Sequence, residues 1–450
     1  MRVTVRKFLS GERYVFLLNE DGIPDFWVTH FVTQRLRMNQ SWSSIKNYLH
    51  DIKHLKLWES INERDLLEEI YNGKVPSRSD INDIQEHCTF QVKVFKPKPI
   101  SKSNVVDMGK FYLSQSQDKP TVQKAQYINR VAHIIEFLYF IGLERVKHKP
   151  NAEKLFDELD KMNKLFKRGP PNTRLKKNTS LETSGMSDDV FEDFIAVAKP
   201  SSELNPFPDQ AVKFRNYLIV QTLYEAGLRC SEVLALRISD IGTDIVSPEL
   251  VVVRRHDNKD DPRLHEPCPK TEGRSIPISK GLRDLLLYYI KEWRCQTSIA
   301  KTHPFIFVAH KSKRGCYTSG RPMSQGSVNK FFERIKAVKS EQFKYITPHI
   351  YRHYFNDRLS MTIDEERRAN KEEIKRLESE GRHEEAKQYA YQNTITEQRE
   401  LEIRADLNGH SSLDSGRYYL KRTAKRKATE IRIKMHASLK HKVERFNNAK

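Results

Sequence analysis

Residues 166–188, FKRGPPNTRLKKNTSLETSGMSD, set the first limit on how this chain of 450 residues can fold. Gly169-Pro170-Pro171 interrupts any regular element, no apolar residue recurs at a helix or strand period, and Lys and Arg are frequent. A hydrophobic core cannot run through such a stretch. The chain is therefore predicted to form separate folded parts on either side of a basic linker over 166–185.

Before the linker, residues 1–20 read as a β-hairpin. Val3 and Val5, then Tyr14 and Phe16, alternate across a Ser10-Gly11-Glu12 turn. From Asp25 the period changes to that of helices. Phe26, Thr29, Phe31 and Val32 form one run; Ile45, Tyr48, Leu49, Ile52 and Leu55 form a second, started at Ser41–Ser44; Ala125–Leu143 forms a third. Lys46, His50, Lys53, His54 and Lys56 fall at polar positions of the second run. The expected domain spans 21–165.

After the linker, 186–450 reads as helices at Phe191–Ala198, Ala211–Ala226 and Ser231–Leu236, then strands at 249–255 and 274–278, then further helices. The expected fold class is mainly α with a small β-sheet. Residues 361–404 stand apart, rich in Glu, Lys, Arg and Gln. Glu372 lies at helical spacing from Lys375 and Arg376, and Gly381 is the break between two exposed helices.

Charge narrows the partner. Lys and Arg number 79 against 59 Asp and Glu, a formal net charge of +20, which favours a polyanion and most often nucleic acid. No apolar run reaches the roughly 18 residues of a membrane span. The start of the chain lacks the unbroken apolar stretch of a signal peptide. Cys88, Cys230, Cys268, Cys295 and Cys316 have no CxxC spacing, which argues against a zinc site and a disulfide framework and for a reducing compartment. The expected location is cytoplasmic, on DNA.

Three segments carry chemistry. In Glu225-Ala-Gly-Leu-Arg-Cys-Ser-Glu232, Arg229 sits at a junction between helical runs, and Glu232 can face back to hold its guanidinium. In Pro348-His-Ile-Tyr-Arg-His-Tyr354, His349 and Arg352 share a helical face, where both can reach one phosphate. In 407–419, a Gly409-His410-Ser411 turn precedes a helix, and Tyr419 follows nine residues after His410. Alone, each reads equally well as a surface ion pair, a chance HxxR, or a capped helix with core tyrosines.

Together and in this order they resemble the catalytic domain of the tyrosine recombinase, or phage integrase, family. The resemblance assigns catalytic roles to Arg229, Lys270, His349, Arg352, His410 and Tyr419. Lys270 comes from Pro269-Lys270-Thr271-Glu272-Gly273-Arg274-Ser275-Ile276-Pro277, which is similar to the family's KTxxRxIP hairpin, with Lys259 the alternative. Pro304-Phe-Ile-Phe307 and Met323-Ser324 also fit, and SWSSIKNYLHDIKHLKLW (41–58) resembles the start of the family's helical core-binding domain. The family implies that core-binding and catalytic domains clamp duplex DNA from opposite sides. It also implies strand exchange in a homo-tetramer, with accessory proteins as further partners and no cofactor or metal.

Two departures stand out. Arg352 and His410 are 58 residues apart, the excess being the charged segment 361–404. Tyr418 adjoins Tyr419, and one residue rotates a helical side chain by about 100°, so Tyr418 is expected to point away, into packing. The segment 421–450, with a net charge of +9, is expected to act in assembly.

Phosphoryl chemistry agrees with the assignment. Two arginine forks and a histidine suit the charge that builds on a phosphodiester under attack. A tyrosine hydroxyl, with an ordinary pKa of about 10, needs activation, and a lysine can protonate the leaving 5′-oxygen. A 3′-phosphotyrosyl link conserves the ester, so rejoining needs no ATP, and the chain has no GxxxxGK[ST] loop. The predicted function is site-specific DNA breakage and rejoining that integrates or excises a mobile element. A type IB topoisomerase-like strand transferase and an inactive DNA-binding accessory protein are the alternatives.

Overall fold

The computed structural model describes residues 1–95, 120–167, 186–267, 269, 271–312 and 317–420. Most of the expected linker, Lys270 and the basic tail 421–450 lie outside these. Two compact units are present, Met1–Ser180 and Leu181–Lys450.

In the first unit, β1 (Arg2–Lys7) and β2 (Arg13–Leu18) pair antiparallel, with Val5 opposite Val15. The hairpin is not a separate module. Val5, Tyr14, Val15 and Leu17 are buried in the same core as Phe31, Ile52 and Phe137. The helices are α1 (Phe26–Phe31), α2 (Trp42–Ile61), α3 (Leu66–Tyr71), α4 (Arg78–Thr89), α5 (Lys124–Val146) and α6 (Ala152–Phe166). Ser41 caps α2 by accepting from the Ser44 amide at 3.3 Å. Ile45, Leu49, Ile52 and Leu55 of α2 meet Tyr127, Val131, Ile134, Leu138 and Ile141 of α5, each set spaced by three or four residues as a helix stripe requires.

His54 departs from its expected polar position. It is 1% exposed, because the buried stripe of α2 is wide enough to include it. Its Nε2–H donates to the His87 carbonyl at 3.0 Å, and Nδ1 makes no hydrogen bond among the described residues. Arg130 is buried beside the pair and donates to the carbonyls of Cys88 (2.8 Å) and Phe90 (2.9 Å). Burial first, then the Arg130 charge, push His54 down to about 3 and His87 down to about 4.

The second unit contains α7 (Asp188–Ala198), α8 (Gln210–Ala226), α9 (Cys230–Ala235), β3 (Glu249–Val252), β4 (Arg274–Pro277), α10 (Lys280–Tyr288) and α11 (Gln325–Lys336). There follow α12 (Pro348–Ser379), α13 (His383–Asn393), α14 (Glu397–Asn408) and a helical segment over 414–420. The unit is mainly helical, with one small antiparallel sheet in which buried Leu250 faces buried Ile276. Phe194, Leu218, Leu223, Val233, Phe332, Phe343 and Tyr351 fill the core.

The charged segment forms the expected hairpin, with Gly381 at the turn (φ 74°). α12 runs unbroken from Pro348 to Ser379, and α13 returns along it. Asn370 donates to the Asn393 carbonyl at 2.8 Å and accepts from the Tyr389 hydroxyl at 3.0 Å. The segment is not wholly a solvated face, however. Its last part lies on α14, where Glu400, Leu401 and Arg404 are buried, because α14 must pack on α12 to bring the chain back to Gly409.

α8 ends at Gly227, whose φ of +60° favours glycine and whose added Cβ would lie 2.4 Å from Phe355 Cγ. Gly227→Ala is expected to destabilise the protein by roughly 2–4 kcal/mol, through left-handed strain plus overpacking, as read by urea denaturation. A second expectation concerns acid. The folded-state pKa values of His54 and His87 lie below the unfolded value near 6.5. The unfolded chain therefore binds these protons first. Stability of the first unit is full above about pH 6.5 and falls toward pH 4, by up to about 1.4 kcal/mol per pH unit for each histidine. Urea midpoints followed by tryptophan fluorescence at pH 7 and pH 5 test this; an unchanged midpoint contradicts it.

Candidate active site

Arg229 occupies the position before α9, with extended backbone (φ −71°, ψ 148°) fixed by the Gly227 turn and by fully buried Leu228. Its side chain is 27% exposed. Glu232, one helical turn on, accepts from the Arg229 amide at 2.8 Å and meets Nη1 at 3.4 Å. The expected pairing is present, but the closer partners of Glu232 come from the β-hairpin. Arg274 Nη2 and Nη1 donate to it at 3.1 and 3.3 Å, and the Thr271 hydroxyl donates as well. Burial alone raises the Glu232 pKa. Arg274 foremost, with Arg352 and the Thr271 bond, outweighs burial and holds it below the usual carboxylate range.

Thr347 caps α12 and Pro348 occupies its first turn, which aims His349 and Arg352 toward Arg229. Arg352 is 1% exposed. Nη1 donates to the Gly227 carbonyl at 3.0 Å and Nη2 to the Asn408 carbonyl at 2.7 Å, while Nε makes no hydrogen bond among the described residues. Burial and then the Arg229 charge lower its pKa to about 10, with Glu232 opposing the fall. His349 is exposed on the same face. Desolvation, then Arg229 and Arg352, keep its imidazole below the ordinary value.

α14 ends at Gly409, with φ +62°. A Cβ there would lie 2.7 Å from Arg274 Nη1 and 3.0 Å from Thr271 Cβ, so glycine is needed for backbone and space alike. The Glu272 amide donates to the Gly409 carbonyl at 3.3 Å and Arg274 Nε to the Leu407 carbonyl at 2.9 Å, which lock the turn to the hairpin. His410 follows. Burial, then Arg352, Arg229 and Arg274, push it down to about 4, so it is neutral at pH 7. Its ring lies parallel to that of Tyr419, centroids 6.1 Å apart.

The two tyrosines reverse one expectation. Tyr419 is the packed one, 7% exposed against His410, whereas Tyr418 is 57% exposed. The register is that of a helix, but the side facing the core is the one occupied by Tyr419.

Arg229, His349, Arg352, His410 and Tyr419 are thus brought together around buried Glu232; Lys270 lies outside the described residues. Lys259 is exposed on the β3–β4 connection. An open cleft of about 450 Å³ begins at Arg229, Ser231 and His349. Residue type and spacing gave no role to Arg274, Thr271 or His353. Arg274 and Thr271 stand within the hairpin segment 269–277. The His353 ring, 4.6 Å from His349 and 6.0 Å from Tyr419, was visible only as the second histidine of the HxxR segment. Among the described residues, no group of three or more His, Cys, Asp or Glu can hold a metal ion, and no helix is long and apolar enough to cross a membrane.

Residues 188–363 match the phage integrase family model, a span that includes Arg229, Lys270, His349 and Arg352. Tyrosine recombinase XerC of Pediococcus pentosaceus is 30% identical over 147 residues, 32% of this chain and 40% of that protein; the match thus spans less than half of the relative's length. Among solved structures, the chain is similar to XerH recombinase bound to palindromic difH in a post-cleavage complex, with 14% identity, 90% of this chain and 94% of that one covered, and a TM-score of 0.39. It is also similar to the Tn1549 transposon integrase in complex with transposon right end DNA, with 17% identity, 80% and 100% covered, and a TM-score of 0.36. Residues 188–363, the part that holds Arg229, Arg274 and Arg352, form a phage integrase family domain.

Proposed function

We propose that this protein is a site-specific DNA recombinase that cleaves and rejoins duplex DNA through a 3′-phosphotyrosyl link on Tyr419. The observation that carries the reading is the convergence of three separate segments of chain: Arg229 and Arg352 on Glu232, His410 beside both arginines, and the Tyr419 ring on that of His410. Both guanidiniums lie beside Glu232, at 3.4 and 3.8 Å, and Arg352 Nε–H and His410 Nδ1 make no hydrogen bond among the described residues. Such a set suits a phosphodiester.

In the proposed reaction the Tyr419 oxygen attacks the scissile phosphorus. The tyrosyl proton passes to a neutral imidazole, His349 or His410, both held below their ordinary pKa by the arginines. Arg229 and Arg352 stabilise the charge on the non-bridging oxygens. The bond from phosphorus to the 5′-oxygen breaks, and Lys270 gives that oxygen its proton. Attack by the 5′-hydroxyl of a second strand reverses the steps. The number of phosphoester bonds is unchanged, so no nucleotide is consumed. Exchange between two sites needs paired duplexes, for which a homo-tetramer, accessory proteins and a role in integrating or excising a mobile element are part of this reading. The net charge of +20 supports a DNA partner.

The test uses nicked, end-labelled duplexes made from the DNA that flanks the chain's own gene. Wild type should give an adduct that survives denaturation and maps to Tyr419. Tyr419→Phe should abolish it and Tyr418→Phe should retain it. Arg229→Ala or Arg352→Ala should each lower trapping by about a hundredfold or more. An adduct on Tyr418 overturns the choice of nucleophile, and no adduct on either tyrosine overturns the function. Equal relaxation of any supercoiled plasmid would favour the topoisomerase-like alternative. A further expectation concerns the hairpin. Replacing residues 371–392 by a short Gly/Asn turn, between Asn370 and Asn393 where the helices already touch, should leave adduct formation intact. Loss of the adduct in that folded variant would place the hairpin tip in the chemistry.

A further inference from the structure

Arg352 hangs from two backbone carbonyls, those of Gly227 and Asn408. The first belongs to a turn fixed by its own helix. The second belongs to the last residue of α14, whose position depends on how α14 meets α12. Three buried polar side chains define that meeting. Asn356 and Asn408 face each other as a reciprocal amide pair, with Nδ2 to Oδ1 distances of 3.0 and 2.9 Å. Their remaining N–H groups donate to the Arg352 carbonyl and the Arg404 carbonyl, both at 2.9 Å. Arg404, 0% exposed, donates from Nη1 to the carbonyl and Oδ1 of Asn356 at 3.3 Å and from Nη2 to Ser360 Oγ at 2.6 Å. Glu400 neutralises it at 2.7 Å and accepts Arg367 at 2.8 Å.

An apolar contact would hold two helices together at least as well, since burying charge is costly. What the polar set adds is register. An amide pair bonded on every edge allows one axial offset of α14 against α12, where leucines would tolerate several. We propose that Asn356, Asn408 and Arg404 are positioning residues, which set the Asn408 carbonyl and so aim the Arg352 guanidinium at the scissile phosphate. The inference rests on the proposed function, in that it takes Arg352 to meet that phosphate. It makes the base of the charged segment part of the active-site scaffold, while the hairpin tip beyond Asn370 is not.

The test compares wild type with Asn356→Leu/Asn408→Leu, which replaces the amide pair by apolar groups, and with Arg404→Lys, which keeps the charge opposite Glu400. Each is incubated with the cleavable flanking duplex and with the same duplex carrying a methylphosphonate at the cleaved position. The methyl group removes the phosphate charge that Arg352 would meet. On the ordinary duplex the variants should bind within about threefold of wild type and form adduct about tenfold to a hundredfold more slowly, the effect of a small misplacement. On the methylphosphonate the deficit should shrink to within about threefold. Wild-type rates on both duplexes would overturn the proposal, as would an equal deficit on both. If the double variant fails to fold, Arg404→Lys decides the matter by the same two outcomes. If wild type itself forms no adduct, the proposed function fails rather than the positioning role.

Discussion

Glu232 has almost no contact with solvent, and arginines reach it from three directions. Arg274 grips the carboxylate from the sheet, Arg352 lies 3.8 Å away from α12, and Arg229 stands at the head of the same short helix. A carboxylate taken out of water costs several kcal/mol unless it is paired and hydrogen-bonded, and removing one partner of such a set costs roughly 3–5 kcal/mol. The ion therefore forces the hairpin, α9 and α12 into one arrangement. It also leaves more positive charge than it cancels, three guanidiniums against one carboxylate, and that surplus faces the place where His410 and Tyr419 lie.

The surplus explains the state of the histidines. His349 and His410 are each depressed by desolvation and by the same arginines. Both imidazoles are thus held toward their neutral form, beside the guanidiniums of Arg229 and Arg352. A neutral imidazole can take a proton, whereas an imidazolium cannot.

Backbone groups do much of the aiming. Carbonyls of Gly227, Leu407 and Asn408 receive Arg352 and Arg274, and the glycines at 227 and 409 permit the approach. A carbonyl cannot change rotamer, so a guanidinium hung from two of them has less freedom than one held by side chains. The long charged segment between Arg352 and His410 is accommodated because α12 and α14 close it at its base.

The sequence by itself determined the local features. Helical spacing marked α2, α5 and α8, alternation marked the N-terminal hairpin, strand-like segments at 249–255 and 274–278 marked β3 (Glu249–Val252) and β4 (Arg274–Pro277), and Gly381 marked the turn of the charged hairpin. It also determined which residues to inspect, because Arg229, His349, Arg352, His410 and Tyr419 carry functional groups whose chemistry is legible from type and order. Only the tertiary structure decided what each group touches. That Glu232 serves Arg274 before Arg229, that His54 is a core residue, that Tyr419 is packed while Tyr418 is exposed, and that Arg404 meets Asn356 and Ser360 are all set by contacts between elements apart in the chain. Periodicity records which face of an element is buried. It holds no record of which other element covers that face, and pKa, pairing and burial are properties of the two surfaces together.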